Sequence, residues 1–194
     1  MPLPLDVRVA LAPREAYGEL MREPAAGSWR RALERPALLA VIVGTAVTLL
    51  SADRVPIGLV AMGILTWSFV PMLQLLVGAI VSGIAPARSI SMSRSIELLF
   101  MAHLPWSLWV LVITGVPAFT SVPLPQTVQV LSLLIPGAWT SLIVLAFCRV
   151  VLGCTTRGAR WLTTVHQSMT WTLFFGYVFL VSGVWARTLA LVGW

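Results

Sequence analysis

"RSIELLFMAHLPWSLWVLVI", residues 94 to 113, opens with an arginine, sets a glutamate three positions on, carries His103 and Pro105, and ends as uninterrupted hydrocarbon. As a helix it rises about 30 Å, the thickness of the hydrocarbon core of a bilayer. Its charged and titratable residues all fall in the first half. It therefore reads as a membrane helix with a polar foot, and the rest of the chain agrees. With 58% apolar and 10% charged residues and a mean hydropathy of +0.92, 194 residues exceed what a water-soluble core of this size uses.

Working outward, the uncharged runs predict five spans, near 37–52, 57–85, 98–116, 128–150 and 168–193. The fold class is all-α, a polytopic transmembrane bundle (37–194) behind an arm (1–36). The first run, "ALLAVIVGTAVTLLSA", would reach only roughly 24 Å, so its flanks must snorkel or the bilayer must thin. The second is long and holds Pro71, a hinge expected to kink it beside Gln74. "GVPAFTSVPLPQT", residues 115–127, has three prolines and no periodicity, and reads as a loop.

Arginine placement orients the chain, because short cytoplasmic loops hold basic residues in excess. Arg8, Arg14, Arg22, Arg30, Arg31, Arg35, Arg88, Arg94, Arg149, Arg157 and Arg160 fall on one side, against Arg54 and Arg187 on the other. The expected topology is N-terminus inside and C-terminus outside, in a bacterial inner (cytoplasmic) membrane. "MPLPLDVRVALAP" lacks the apolar core of a secretory signal. The formal charge of +6 follows from topology and does not point to nucleic acid. Thirteen arginines without a lysine fit codon bias, or recognition of anionic lipid head groups by the arm.

Within the arm, Leu3, Leu5, Val7, Val9 and Leu11 alternate at period two, which fits either an edge strand or a disordered tail. "APREAYGELMREP" reads as a short helix, with Pro13 in its first turn and Pro24 as its stop. Its Tyr17, Leu20 and Met21 share a face that could lie on the membrane surface. Ser28 is a candidate N-cap for "SWRRALERPALL", which leads into the first span.

The candidate functional polar positions are Gln74, Arg94, Glu97, His103, Arg149, Arg157, Arg160 and His166, with Pro71 and Pro105 as hinges. Arg94 and Glu97, at i and i+3, are placed to pair. His103 sits about 9 Å beyond Glu97 along the axis, too far for a dyad, and is expected to be a satisfied packing or hinge residue rather than a proton carrier. Cys148, Cys154 and His166 lack the close spacing of zinc sites, and a disulfide is not expected at the inner face; no metal or cofactor is expected. No hydrolase elbow, zinc-protease motif or phosphate loop is present, and no pair of carboxylates lies within the spans, so no enzyme is expected. Ala40, Gly44 and Thr48, and Ala79 and Gly83, repeat at small-residue packing spacing. Trp29, Trp161, Trp185 and Trp194 suit an interfacial belt; Trp67, Trp106, Trp109 and Trp139 lie deeper.

The arm "LAPREAYGELMREP", the series "ISMSRSIELLFMAHLPWSLWVLV", and "PGAWTSLIVLAFCRVVLGCTTRGARWLTTVHQS" together resemble the bacterial branch of the Yip1 superfamily. The resemblance rests on Ser93, Arg94, Ser95 and Pro105 in the third span, and on Trp139, Arg149, Gly153, Arg157 and Ala159 around the fourth. It implies a compact five-helix bundle with a cytoplasmic N-terminus, and no settled activity. The expected function is a non-catalytic membrane protein, a scaffold or a small subunit of a larger complex. The alternative is a transporter or permease component for a lipid or other apolar solute, which the interruptions at Pro71/Gln74 and His103/Pro105 would serve. Expected partners are membrane lipids and other membrane-protein subunits or a second copy.

Overall fold

Proline governs where the long helices break. In a computed structural model that describes residues 4–22, 27–51, 57–85, 90–120 and 124–191, the second apolar run divides into α4 (Ile57–Trp67) and α5 (Phe69–Ile84). Pro71 has no N–H to offer the carbonyl of residue 67, and the helix re-starts one turn upstream of it. The Ser68 hydroxyl, at that joint, donates to the Leu65 carbonyl at 2.6 Å. The interruption expected at Pro71 is therefore present, but displaced to Ser68.

The opening stretch behaves similarly. Helix α6 (Met92–Phe100) passes through a 3-10 turn (Met101–His103) into α7 (Leu104–Thr120). Ser91 caps α6 by accepting the Arg94 N–H at 3.3 Å. Pro105 sits in the first turn of α7, where a missing N–H costs least. Helix α7 then continues past Pro117 to Thr120, so the loop expected from residue 115 onward is corrected: the helix claims its first residues. The Thr120 hydroxyl donates back to the Val116 carbonyl at 2.7 Å, one turn earlier in the same helix. A third joint, at Leu133, separates α8 (Gln126–Ser132) from α9 (Leu134–Val150), again three residues before a proline, Pro136.

Helix α3 (Trp29–Ser51) begins directly after Ser28, whose carbonyl receives the Ala32 N–H at 3.0 Å. It runs through Pro36 without a break and has 23 residues, about 35 Å, its first two turns carrying Arg30, Arg31, Glu34 and Arg35 as the polar flank of the short apolar run. Gly153 has a φ of 65° and folds the chain back after α9, letting the Cys154 N–H reach the Cys148 carbonyl at 3.0 Å. Thr155 then caps α10 (Thr156–Leu191) by accepting from Gly158 N–H at 3.2 Å. Helix α10 starts twelve residues before the span expected at 168–193; residues 192 and 193 lie outside the described residues. Every element among the described residues is helical. Among the described residues, four stretches are long and apolar enough to cross a membrane: Trp29–Leu49, Ile57–Ile84, Met92–Ile113 and Thr127–Val150.

The arm departs most from expectation. It is neither strand nor disordered tail over Leu5–Leu11, which forms α1, followed by α2 (Pro13–Arg22). The alternation of apolar residues loses to a helical face, because Val9 and Ala10 are buried when the segment docks. Nor does the α2 face lie on a membrane surface: Ala16, Tyr17 and Leu20 are buried in the protein itself. The Tyr17 hydroxyl donates to the Leu98 carbonyl at 3.1 Å, and its ring meets Phe147 edge-on at 5.8 Å. The Trp139 indole donates to the Ala10 carbonyl at 2.8 Å. Arg35 pairs with Asp6 at 3.3 Å, and Arg8 with Glu19. The Pro24 stop lies outside the described residues.

The small-residue stripe of α3 is used within the molecule. Ala40, Gly44 and Thr48 are buried, and a Cβ on Gly44 would fall 2.5 Å from the Ile64 Cα of α4. Gly63 faces it, with 2.9 Å between a Cβ there and the Gly44 carbonyl. The second stripe is corrected: Gly83 is exposed, and the close contact in α5 falls instead at Gly78, against Leu99.

Candidate binding site within the bundle

Two features of the interior coincide: a cavity and a row of buried polar atoms. The cavity, about 80 Å³, is lined by α3, α5, α7 and α10 with Trp67 at the end of α4, and its wall is almost wholly apolar. Trp106 and Trp171 meet edge to face across it, 5.1 Å apart at 73°. Pro71 and Gln74 line it from α5, Ser107 from α7, and Thr170 from α10. Gln74 is only 5% exposed, and its Oε1 has no hydrogen-bond partner. The joint at Ser68 aims the first turn of α5, and so Gln74, into the bundle.

His103, in the 3-10 turn before α7, and His166, in α10, do not line the cavity; each stands four residues before a residue that does, Ser107 and Thr170. Their ring centroids are 5.4 Å apart, and each residue is fully enclosed. The Leu99 and Phe100 carbonyls flank the His103 ring, yet neither nitrogen of either histidine has an aligned hydrogen-bond partner. His103 also packs against a second imidazole, that of His166. Thr140 Oγ1, Gln167 Nε2 and Thr170 Oγ1 are likewise buried without a partner. Polar side chains recur at i, i+4 on both helices: His103 with Ser107, His166 with Thr170. The Ser107 hydroxyl donates to the His103 carbonyl at 3.3 Å, and the two tracks face each other at the His and Trp levels.

The expected Arg94–Glu97 pair forms at 3.1 Å, with both side chains about nine-tenths buried, though without an aligned hydrogen bond. It belongs to α6, whose Ser95 shares a 2.6 Å hydrogen bond with Ser82 of α5. Neither residue lines the cavity. Arg149, Arg157 and Arg160 are exposed at the α9–α10 junction, and also stand apart from it. Pro105 is buried at the start of α7. Both cysteines are free and buried, and burial pushes the Cys154 thiol up. Among the described residues no three His, Cys, Asp or Glu side chains gather as a metal site.

Of the residues singled out in the sequence, Pro71 and Gln74 line the cavity together with Trp67, Trp106 and Trp109, and His103 meets His166. Trp171, Ser107, Thr140 and Thr170 were not singled out; the one available signal was the i, i+4 repetition of polar residues one turn after each histidine.

No family model, no curated protein and no solved structure matches this chain.

Proposed function

We propose that the protein is a non-catalytic, multi-pass membrane bundle of the Yip1-like type that accommodates an apolar solute or lipid chain between its helices, as a transporter or permease component. The observation that carries this reading is the buried, unpartnered Gln74 carbonyl in a tryptophan-walled cavity. An empty site made only for packing would leave no acceptor unserved, since buried polar groups in native proteins are nearly always hydrogen-bonded. Ligand sites within membrane bundles favour interrupted helices, and Ser68–Pro71 supplies one at the cavity wall. In this reading α10 contributes the fifth span, the N-terminus faces the cytoplasm, the C-terminus lies outside, and the membrane is the bacterial inner membrane.

A second reading, scaffold or subunit of a larger complex, is favoured by α4. It buries none of its residues, and Ile57, Met62 and Leu65 stand exposed on it. That face suits lipid or the helix of another subunit.

Extraction in mild detergent followed by native mass spectrometry separates the two. A lipid-sized adduct on the isolated protein, lost when Leu39→Phe fills the cavity, supports the first reading. Larger subunits at constant ratio, with no adduct, support the second.

A further inference from the structure

We propose that the lipid-facing surface of this chain is a belt only about 22–25 Å tall, fitted to a thin bilayer, and that the last turns of α9 stand outside the hydrocarbon with the arm. This goes beyond the solute reading and rests only on the chain crossing a bilayer.

The arm fixes the level at which hydrocarbon ends. Arg14 and Glu15 share an open groove with Leu142, Leu145 and Ala146 of α9. Both charged residues are exposed, and neither has an ionic partner among the described residues. Exposed, unpaired charges are not held against lipid tails, so the surface from Leu142 onward faces head groups or water. Yet Leu142 lies well inside Thr127–Val150, a stretch long and apolar enough to cross.

Helix α1 carries the same level to its neighbours. Its Asp6 pairs with Arg35 of α3 at 3.3 Å, its Ala10 carbonyl accepts from Trp139 of α9, and it packs against the Met101–His103 turn. Beyond these marks, the uncharged helix left for the bilayer is residues 37–51, about 22 Å; α7, 17 residues and about 25 Å; and residues 126–141, about 24 Å. Three helices agree, and all fall short of the roughly 30 Å of an average hydrocarbon core.

Burial divides the molecule at the same place. The contiguous apolar core draws on residues 9–20, 73–81, 98–102, 143–154 and 159–162, all at or on the arm's side of that level. On the other side α4 buries nothing, and Leu38, Val112, Leu131 and Ile135 stand exposed. The first pattern is that of a domain in water, the second that of helices in lipid. The Arg94–Glu97 pair of α6 belongs to the first layer and is thereby kept out of hydrocarbon.

Ile135 and Leu142 provide the test, because they lie equally far from the midpoint of Thr127–Val150 and are both exposed. Ile135→Cys, Leu142→Cys and Arg14→Cys would each carry a nitroxide on the full chain in phosphatidylcholine nanodiscs. The parent, whose two cysteines are buried, gives the labelling background. Electron paramagnetic resonance then compares collisions with oxygen, which concentrates in hydrocarbon, and with a water-soluble nickel chelate. Oxygen should dominate at Ile135, and nickel at Leu142 and Arg14. Equal, oxygen-dominated signals at Ile135 and Leu142 would overturn the proposal; nickel dominance at all three would overturn the membrane reading with it. The melting temperature should also be higher in dimyristoleoyl- than in the longer-chained dierucoyl-phosphatidylcholine, and the reverse order would overturn the thin belt.

Discussion

The indole N–H of Trp139 and the carbonyl of Ala10 meet at 2.8 Å across 129 positions of sequence. The bond fastens the end of α1 to α9 where Val9 and Ala10 are buried. Trp139→Phe keeps an aromatic side chain but removes the donor together with the five-membered ring that carries it, leaving a carbonyl without a partner. It should lower stability by about 1–3 kcal/mol. Limited proteolysis of the detergent-solubilised protein should show cleavage within residues 4–22 at protease concentrations that leave the parent intact.

Tyr17 holds the second helix of the arm in the same way, and it makes the arm sensitive to alkali. Burial, the larger cause, and the nearby Cys148 and Asp6 raise its phenol above the usual 10.0. A raised acid favours the neutral folded form, so the contribution is complete below pH 10 and is lost as pH climbs above it. Absorbance at 295 nm should show one tyrosine that ionises only together with release of the arm. In Tyr17→Phe that component should vanish; ionisation before arm release in the parent would contradict the burial argument.

Gly44 lies too close to α4 for any larger residue. Gly44→Leu would drive a side chain into the Ile64 backbone and should cost about 1–3 kcal/mol or break the α3–α4 hairpin outright. Gly83→Leu, at an exposed position in α5, should leave the melting temperature in detergent unchanged, and so serves as its control.

Arg94 and Glu97 form a largely buried pair. Removing one charge alone, as in Arg94→Met, should destabilise by about 3–5 kcal/mol because it strands the other. Arg94→Met combined with Glu97→Leu should recover most of that loss, and a double-mutant cycle on thermal unfolding measures it.

Residue 125 tests the proposed topology. A single cysteine placed at exposed Pro125, in a background lacking Cys148 and Cys154, should react with membrane-impermeant maleimide from the outside of intact cells. Labelling only after the cytoplasmic face is opened would reverse the orientation.

The parts of the fold that rest on local chemistry were legible in the sequence. Pro71 interrupts its helix within a turn of itself, Ser28 marks the start of α3, and Arg94 pairs with Glu97 at the spacing that helical geometry demands. What depended on distant partners was not. The apolar alternation of Leu5–Leu11 suits a strand until Leu98, Trp139 and Phe147 provide a surface that prefers a helix. His103 looked isolated because its neighbour, His166, stands on another helix 63 positions away. Gln74 was found by its oddity in an apolar run. The cavity in front of it could not be, because its walls are ordinary tryptophans from three separate segments.

The arm also sets an order on biogenesis. Residues 5–22 leave the ribosome before the helices they dock on, and their seat is completed only when Trp139 and Phe147 emerge, roughly 120 residues and on the order of ten seconds later. Until then Val9, Tyr17 and Leu20 have no surface of their own to cover. A nascent chain at that stage therefore offers an unsheltered apolar segment, and the closing of the arm marks the moment when the helix carrying Trp139 is in place.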